Sequence, residues 1–115
     1  MQGFQITFFT GEGRRHGHQP MGAWLMETAR QLGIRGATLS VGTDGIGRDG
    51  RLHSAHFFEL SDQPIEVTLV VTEDEWTRLA QALIAAQANV FFTKTPVEFG
   101  VLGGPDPGAT PAAAG

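Results

Sequence analysis

The order in which strand-like and helix-like segments follow one another constrains this fold more than any other feature of the sequence. Alternating apolar residues predict strands over residues 4–9, 37–41 and 65–71, and a last strand opens at Val90. Apolar residues three and four apart predict one helix after the first strand and another after the third. Two right-handed strand-helix-strand units joined in this order give a ferredoxin-like βαββαβ fold of the α+β class. We therefore expect a four-stranded antiparallel sheet with two helices on one face.

Both predicted helices carry recognisable end signals. Pro20 suits the first turn of the first helix, and Gly33 suits its C-terminal stop. Thr72 and Glu75 have the spacing of a capping box, so the second helix is expected to begin there and to end near Gln87. Its core-facing positions are predicted to be Trp76, Leu79, Ala80, Leu83 and Ile84.

A sheet covered by helices on one side leaves its other face without cover. The residues predicted to point to that face are Phe9, Thr38, Thr68 and Val70. Pro96 places the last strand at an edge or an end of the sheet, because proline cannot donate a ladder hydrogen bond. Since monomeric proteins rarely expose such a surface, we expect other copies of the chain to bury it.

Length and composition narrow the class of protein. The 115 residues suffice for one domain, expected over residues 1–99, and the Gly-, Pro- and Ala-rich residues 100–115 are expected to form a disordered tail. The absence of cysteine excludes disulfides, thiol catalysis, iron-sulfur clusters and zinc sites with sulfur ligands. A net charge of −4 gives no general attraction to nucleic acid or anionic lipid, and no segment resembles a signal peptide or a membrane span. We expect a soluble cytoplasmic domain.

The connection between the second and third strands, residues 42–63, is long and rich in glycine. Its segment GIGRDG, residues 45–50, matches the dinucleotide pattern GxGxxG, but a loop and a strand follow it instead of the helix that such a site needs. A calcium loop is excluded because Ile46 and Arg48 stand where oxygen ligands are required. Two hypotheses remain: glycines let backbone amides approach an anion beside Arg48, or the segment is a flexible solvated hairpin.

A second polar cluster, GEGRRHGHQP at residues 11–20, precedes the first helix. Either Arg14 and Arg15 hold a phosphate or carboxylate there, or the segment is a solvated turn. The histidines lie in two loops and make a metal site an alternative; they are His16, His18, His53 and His56. The sequence shows no serine, histidine and acid pattern and no strand-to-helix nucleophile turn, so it does not support an enzyme.

Residues 33–83 carry a family signal. They hold a helix-ending Gly-Ile, a strand that begins Gly-Ala-Thr, a Gly-x-Gly-Arg entry to a long loop, and an acidic pair at the start of the second helix. In these features, and in the segments FFTGEGRRHG and HSAHFFEL, the sequence resembles the PII-like signalling superfamily, and within it the small branch called domain of unknown function 190. The resemblance covers about residues 3–99, and residues 36–56 are its most specific segment.

The resemblance implies a homotrimer whose sheets line the interior and whose clefts between subunits bind an adenine nucleotide (AMP, cyclic AMP, ADP or ATP) as an effector, with no cofactor required. Thr38 resembles the position that faces the adenine, and Gly45, Gly47 and Arg48 match the entry of a mobile T-loop that wraps the phosphates. The resemblance thus implies a cytoplasmic regulatory protein rather than an enzyme. Its T-loop would act on a partner protein such as a membrane transporter or channel, with no role for nucleic acid or membrane insertion.

The chain departs from the typical PII pattern after the second helix. Residues 87–94 replace the second phosphate loop without any glycine, and Lys94 is the last cation, so it is the only candidate phosphate ligand in that neighbourhood. A monophosphate or cyclic nucleotide is therefore expected to suit the cleft better than a triphosphate. The chain has no tyrosine, which excludes tyrosine uridylylation of the T-loop. The expected contacts to the partner protein are cationic and aromatic residues of that loop: Arg51, His53, Phe57 and Phe58.

Two other hypotheses stay open. The first is a metal-binding trimer similar to the divalent-cation tolerance proteins, with the four loop histidines as ligands. The second is a small enzyme such as a phosphohydrolase, for which Arg48 would be essential. Calorimetry with nucleotides and with zinc or copper separates the first of these from the regulatory hypothesis.

Overall fold

The secondary structure comes from a computed structural model that describes residues 1–42, 44–46, 52–54 and 63–105, the two short middle segments by their backbone only. In chain order the elements are β1 (Gln2–Gly11), β2 (Arg15–His16), β3 (Gln19–Pro20), α1 (Met21–Gln31), β4 (Ala37–Val41), β5 (Asp44–Ile46), β6 (Leu52–Ser54), β7 (Pro64–Val71), α2 (Glu73–Ala85) and β8 (Phe91–Glu98).

Four of the strands form one sheet in the order β4, β7, β1, β8, and every neighbouring pair is antiparallel. This sheet, together with α1 and α2, confirms the predicted ferredoxin-like fold. β8 lies at one edge, as the position of Pro96 indicated. Two short antiparallel pairs, β2 with β3 and β5 with β6, are additions to that fold. No helix in the described ranges combines the length and apolar character needed to cross a membrane.

The core lies between the two helices and one face of the sheet. Its largest fully buried side chains come from β1, β7 and both helices: Phe8, Ile6, Leu25, Leu69, Leu79, Val67 and Val71. The prediction that Ile84 faces this core is wrong, because its side chain is 75% exposed whereas Leu83 is buried. Successive helical residues point about 100° apart, so Ile84 turns away from the sheet when Leu83 faces it. Of the predicted stripe on α2, Trp76 and Ala80 are half-buried.

Two predicted signals of the helix ends are confirmed, the capping box of α2 and Gly33 after α1, whereas Pro20 is the N-cap of α1 and does not lie in its first turn. In the capping box of α2, Thr72 Oγ1 accepts a hydrogen bond from the Glu75 amide at 3.2 Å, and Glu75 Oε1 accepts one from the Thr72 amide at 2.9 Å. At the end of α1, Gly33 has a φ of 79°, and the Ile34 amide donates to the Ala29 carbonyl at 3.0 Å. This is a Schellman motif, which requires the left-handed backbone that glycine adopts without strain.

Among the described residues no element covers the sheet face opposite the helices; we call it the open face. Register places Thr38, Thr68, Thr7 and Thr93 side by side across all four strands, and Thr7 Oγ1 lies 3.3 Å from Thr68 Oγ1. At one end of this face the ring centroids of Phe9 and Phe91 lie 5.9 Å apart. Phe9 is 37% exposed to solvent and Phe91 is 51% exposed. The prediction that Phe9, Thr38, Thr68 and Val70 share this face is confirmed.

Some sequence-based expectations fall outside the described residues. They include the strand-like segment 57–60 and the last part of the expected tail, residues 106–115. Residues 100–105 are described and contain a turn in which the Gly104 amide donates to the Val101 carbonyl at 3.2 Å. The domain boundary after residue 99 stays a prediction.

Candidate ligand site at the loop end of the sheet

The two ends of the sheet differ in the connections that leave from them, and we call one of them the loop end. The C-terminal ends of β1 and β4 and the N-terminal ends of β7 and β8 lie there, because neighbouring strands are antiparallel. The long connection between β4 and β7 leaves from this end. Its roots are held by two backbone hydrogen bonds, from the Gly42 amide to the Pro64 carbonyl at 2.8 Å and from the Glu12 amide to the Gln63 carbonyl at 2.9 Å.

Within that connection the structure describes two short strands. Gly45 lies in β5 opposite His53 in β6, and only the backbone of these two residues is described. The other predicted ligand and partner contacts of the connection lie outside the described residues: Gly47, Arg48, Arg51, His56, Phe57 and Phe58. Their assignment stays a prediction.

Thr38 and Lys94, the two predicted nucleotide ligands on the sheet, lie on opposite sides of it. Thr38 belongs to the edge strand β4 and points to the open face. Lys94 belongs to the other edge strand, β8, and its ammonium lies on the helix side, 4.3 Å from the centroid of the Phe4 ring and 5.6 Å from that of Trp76. Such cation–π contacts hold the lysine against the aromatic cluster between β1, β8 and α2. One chain therefore does not bring Thr38 and Lys94 together.

The short hairpin formed by β2 and β3, residues 14–20, folds over the connection between α2 and β8; we call it the basic hairpin. Arg14 donates from its guanidinium to the Asn89 carbonyl at 2.6 Å. The half-buried His16 hydrogen-bonds the Ala86 carbonyl through Nε2 at 3.0 Å, and its ring stacks on Trp24 with centroids 3.8 Å apart. These contacts hold the hairpin, with its arginines and histidines, beside the end of α2.

The histidines do not form a metal centre in the part of the chain that the structure describes. Nε2 of His16 is engaged by a carbonyl, and His18 is exposed. Across residues 1–42 and 63–105 no three side chains of His, Asp or Glu come together as a metal ion requires. The side chains of His53 and His56 lie outside the described residues, so the metal hypothesis gains no support from the geometry.

Four arginines of the described residues make two kinds of contact. Arg30 donates to the Glu27 carboxylate at 2.6 Å, which lowers the pKa of Glu27 and raises that of Arg30. Arg78 likewise pairs with Asp74, at 3.2 Å. The two arginines of the basic hairpin differ, since each donates to a backbone carbonyl and neither contacts a carboxylate among the described residues.

Sequence reasoning did not foresee the position of the basic hairpin or a groove beside α1. Arg14 contacts a residue 75 positions away and His16 one 70 positions away, so no local pattern could reveal either contact. The groove, of about 410 Å³, runs between α1 and the free edge of β4 and is lined by Ala23, Met26, Glu27, Arg30, Ile34 and Ala37. The sequence signal for this groove is limited to the small side chains of Ala23 and Ala37 on its two sides.

Comparison with known proteins agrees with this geometry. Residues 3–99 match the family described as "Uncharacterized ACR", domain of unknown function 190. The structure is similar to a PII-like signalling protein from Thermus thermophilus, with 18% identity, a TM-score of 0.62 and coverage of 84% of this chain and 88% of that one. It is also similar to CPII from Thiomonas intermedia, a nitrogen regulatory PII-like protein bound to ADP, AMP and bicarbonate, with 20% identity, a TM-score of 0.55 and coverage of 84% and 89%.

A second structure of CPII, bound to ADP and bicarbonate, matches with 17% identity, a TM-score of 0.57 and coverage of 84% and 89%. At such identities the structural likeness shows the fold, while the family match spans nearly the whole described chain. The chain therefore belongs to the domain of unknown function 190 family and has the fold of the PII-like signalling proteins.

Proposed function

We propose that this protein is a cytoplasmic homotrimeric regulator that binds an adenine nucleotide in clefts between its subunits. The protein signals nucleotide binding to a partner protein, such as a transporter or channel, through the connection of residues 43–63. The protein acts as a sensor and not as a catalyst. CPII, with the same fold, is bound to ADP, AMP and bicarbonate, and the proposal extends that class of ligand to this chain.

The observation that carries the proposal is the position of the predicted ligands within one chain. Thr38 and Lys94 lie at opposite edges and on opposite faces of one sheet. Residues at opposite edges converge only if the β4 side of one copy meets the β8 side of the next, which is a head-to-tail contact. Such contacts form a ring when the rotation between copies closes, and the proposed trimer is such a ring. A site that uses both residues therefore lies between subunits.

The open face supports the same arrangement. It exposes Phe9 and Phe91 beside a row of threonines, and Glu66 is the only charged residue that register places on it among the described residues. A face with so little charge and two exposed aromatic rings is suited to contact with other copies of the chain. The loop end, with the roots of the long connection, then lies beside each cleft.

Calorimetric titration tests the proposal. The wild-type protein is titrated with AMP, cyclic AMP, ADP and ATP, and separately with zinc and copper. We expect binding of at least one nucleotide with a stoichiometry of one per chain and no heat with either metal. Binding heat with a metal alone would favour the divalent-cation hypothesis. The absence of binding heat with all four nucleotides would refute the proposed function.

Two variants of the long connection separate its two proposed roles. Arg48→Ala should weaken nucleotide binding, because Arg48 is the proposed phosphate ligand, whereas Arg51→Ala should leave it unchanged and weaken only binding of the partner protein. The two variants remove the same charge, three residues apart, so each is the control for the other. Equal nucleotide affinity in both would contradict the role given to Arg48.

A further inference from the structure

In the connection between α2 and β8, residues 86–90, the first three backbone amides are already occupied by hydrogen bonds to the helix. The amides of Ala86, Gln87 and Ala88 each donate to a carbonyl of α2, at distances of 2.9 to 3.0 Å. They complete a Schellman ending of the helix, with Gln87 at a φ of 57°. Because a glycine-rich phosphate loop works through unoccupied amides, these three residues cannot serve as one, and an anion beside them needs side-chain donors.

The basic hairpin supplies such a side chain at that position. Arg14 reaches Asn89, in the middle of the connection, with one of the five N–H groups of its guanidinium. His16 fixes the hairpin to Ala86 and Trp24, so the position of Arg14 does not depend on its own contact alone. The guanidinium is exposed and retains donors for a ligand.

The charge of Arg14 is also not compensated by a partner in the described residues. Arg30 and Arg78 have carboxylate partners, whereas Arg14 has only a carbonyl. Glu12, the carboxylate nearest in sequence, pairs with neither arginine of the hairpin, and its Oε2 is buried without a hydrogen-bond partner among the described residues. Among the described residues, the Arg14 guanidinium thus keeps its positive charge and several donors for an oxyanion.

We propose that Arg14 binds an oxyanion at the connection between α2 and β8, in place of the missing glycine-rich phosphate loop. The ligand is the phosphate of the adenine nucleotide, which rests on the proposed function, or a free oxyanion such as phosphate. Arg14 donates charge-assisted hydrogen bonds to the oxygens while one N–H stays on Asn89. The neighbouring Arg15 donates to the His18 carbonyl within the hairpin, and we assign it no part in the site.

The test compares the affinity of variants for adenosine, AMP, ADP and inorganic pyrophosphate, measured by calorimetry. Arg14→Gln should weaken ADP binding by about 10- to 100-fold, the range expected for a lost hydrogen bond to a charged group, and should leave adenosine binding unchanged. Arg15→Gln removes the same charge from the same hairpin and should change ADP affinity less than about threefold, within the effect of a screened surface charge. Arg14→Lys should fall between the wild type and Arg14→Gln, because lysine keeps the charge without the planar fork.

A further variant separates a direct contact from a merely structural one. His16→Phe keeps the stack on Trp24 and removes the hydrogen bond to Ala86, so it loosens the hairpin without changing Arg14. If His16→Phe weakens ADP binding as much as Arg14→Gln, or if Arg14→Gln binds ADP like the wild type, the inference is wrong while nucleotide binding stands. If the wild type binds pyrophosphate but no nucleotide, and Arg14→Gln abolishes that binding, the inference holds and the proposed function fails. If neither pyrophosphate nor nucleotide binds, both are wrong.

Discussion

A single charge in the middle of the open face should separate the subunits. Thr68 lies on β7, an inner strand of the sheet, with Thr7 and Thr38 beside it at the same register. The change Thr68→Glu adds a carboxylate to a surface on which register places no cationic residue among those described, and on which Glu66 is already negative. In a single chain the new carboxylate would lie in water, so we expect the fold to tolerate it.

The size of the effect follows from burying that carboxylate between copies. An unpaired buried charge costs several kcal/mol, so about 3 kcal/mol per chain gives about 9 kcal/mol for three chains. At about 1.4 kcal/mol for each factor of ten, the trimer dissociation constant should rise by about six orders of magnitude. At micromolar concentration that shift converts an assembly of three chains into single chains.

Sedimentation velocity measures this directly. The wild type should sediment as a particle of three chains, and Thr68→Glu as one chain of 12.3 kDa with an unchanged circular dichroism spectrum. The control is Gln81→Glu, which makes the same charge change on the exposed side of α2 and should leave the assembly intact. A Thr68→Glu protein that still sediments as three chains would refute the assignment of the open face to the subunit contact, and a wild type that sediments as one chain would refute the trimer itself.

Three further substitutions test individual contacts by denaturant unfolding. Lys94→Met should lower the free energy of unfolding by about 1 kcal/mol, because it removes the cation–π contacts with Phe4 and Trp76. Since Lys94 is also a proposed nucleotide ligand, the variant should weaken nucleotide binding as well, and an unchanged affinity would contradict that role. Gln87→Gly should raise the free energy of unfolding by about 1 kcal/mol, since glycine adopts the left-handed backbone of this position without strain. The control Ala86→Gly lies in ordinary helical backbone and should lower the free energy of unfolding. Thr10→Val should also stabilise the fold by about 1 kcal/mol, because Oγ1 of Thr10 is buried without a partner in the described residues, and a destabilised variant would show that this hydroxyl is hydrogen-bonded in solution.

The sequence predicted the elements of the fold well where local signals are strong. β4 begins and ends where the alternation of residues 37–41 begins and ends, because glycines stand on both sides of it. The capping box at Thr72 set the start of α2 for a similar local reason. The end of α2 was placed two residues too late, since Gln87 continues the helical pattern in sequence but takes the left-handed conformation in the structure.

The candidate site was less predictable because its parts come from distant segments. Periodicity assigned Thr38 to the open face, yet it did not show that Lys94 lies across the sheet from it, since pairing with β1 decides the face of an edge strand. The contacts of Arg14 and His16 join the first fifth of the chain to the end of α2, and no pattern within a few residues encodes such a pairing. The ligand and partner roles given to residues of the long connection stay predictions.

The two hydrogen bonds at the roots of the long connection have an evolutionary consequence. β4 and β7 are adjacent antiparallel strands, and the bond from Gly42 to Pro64 already closes the hairpin between them. Folding of the sheet therefore does not require any particular length or composition for the twenty or so residues in between, because loop length affects stability only weakly. We therefore expect insertions and replacements in that segment to leave the register of the sheet unchanged. Under the proposed function, exchange of this one loop would change the partner protein without altering the scaffold.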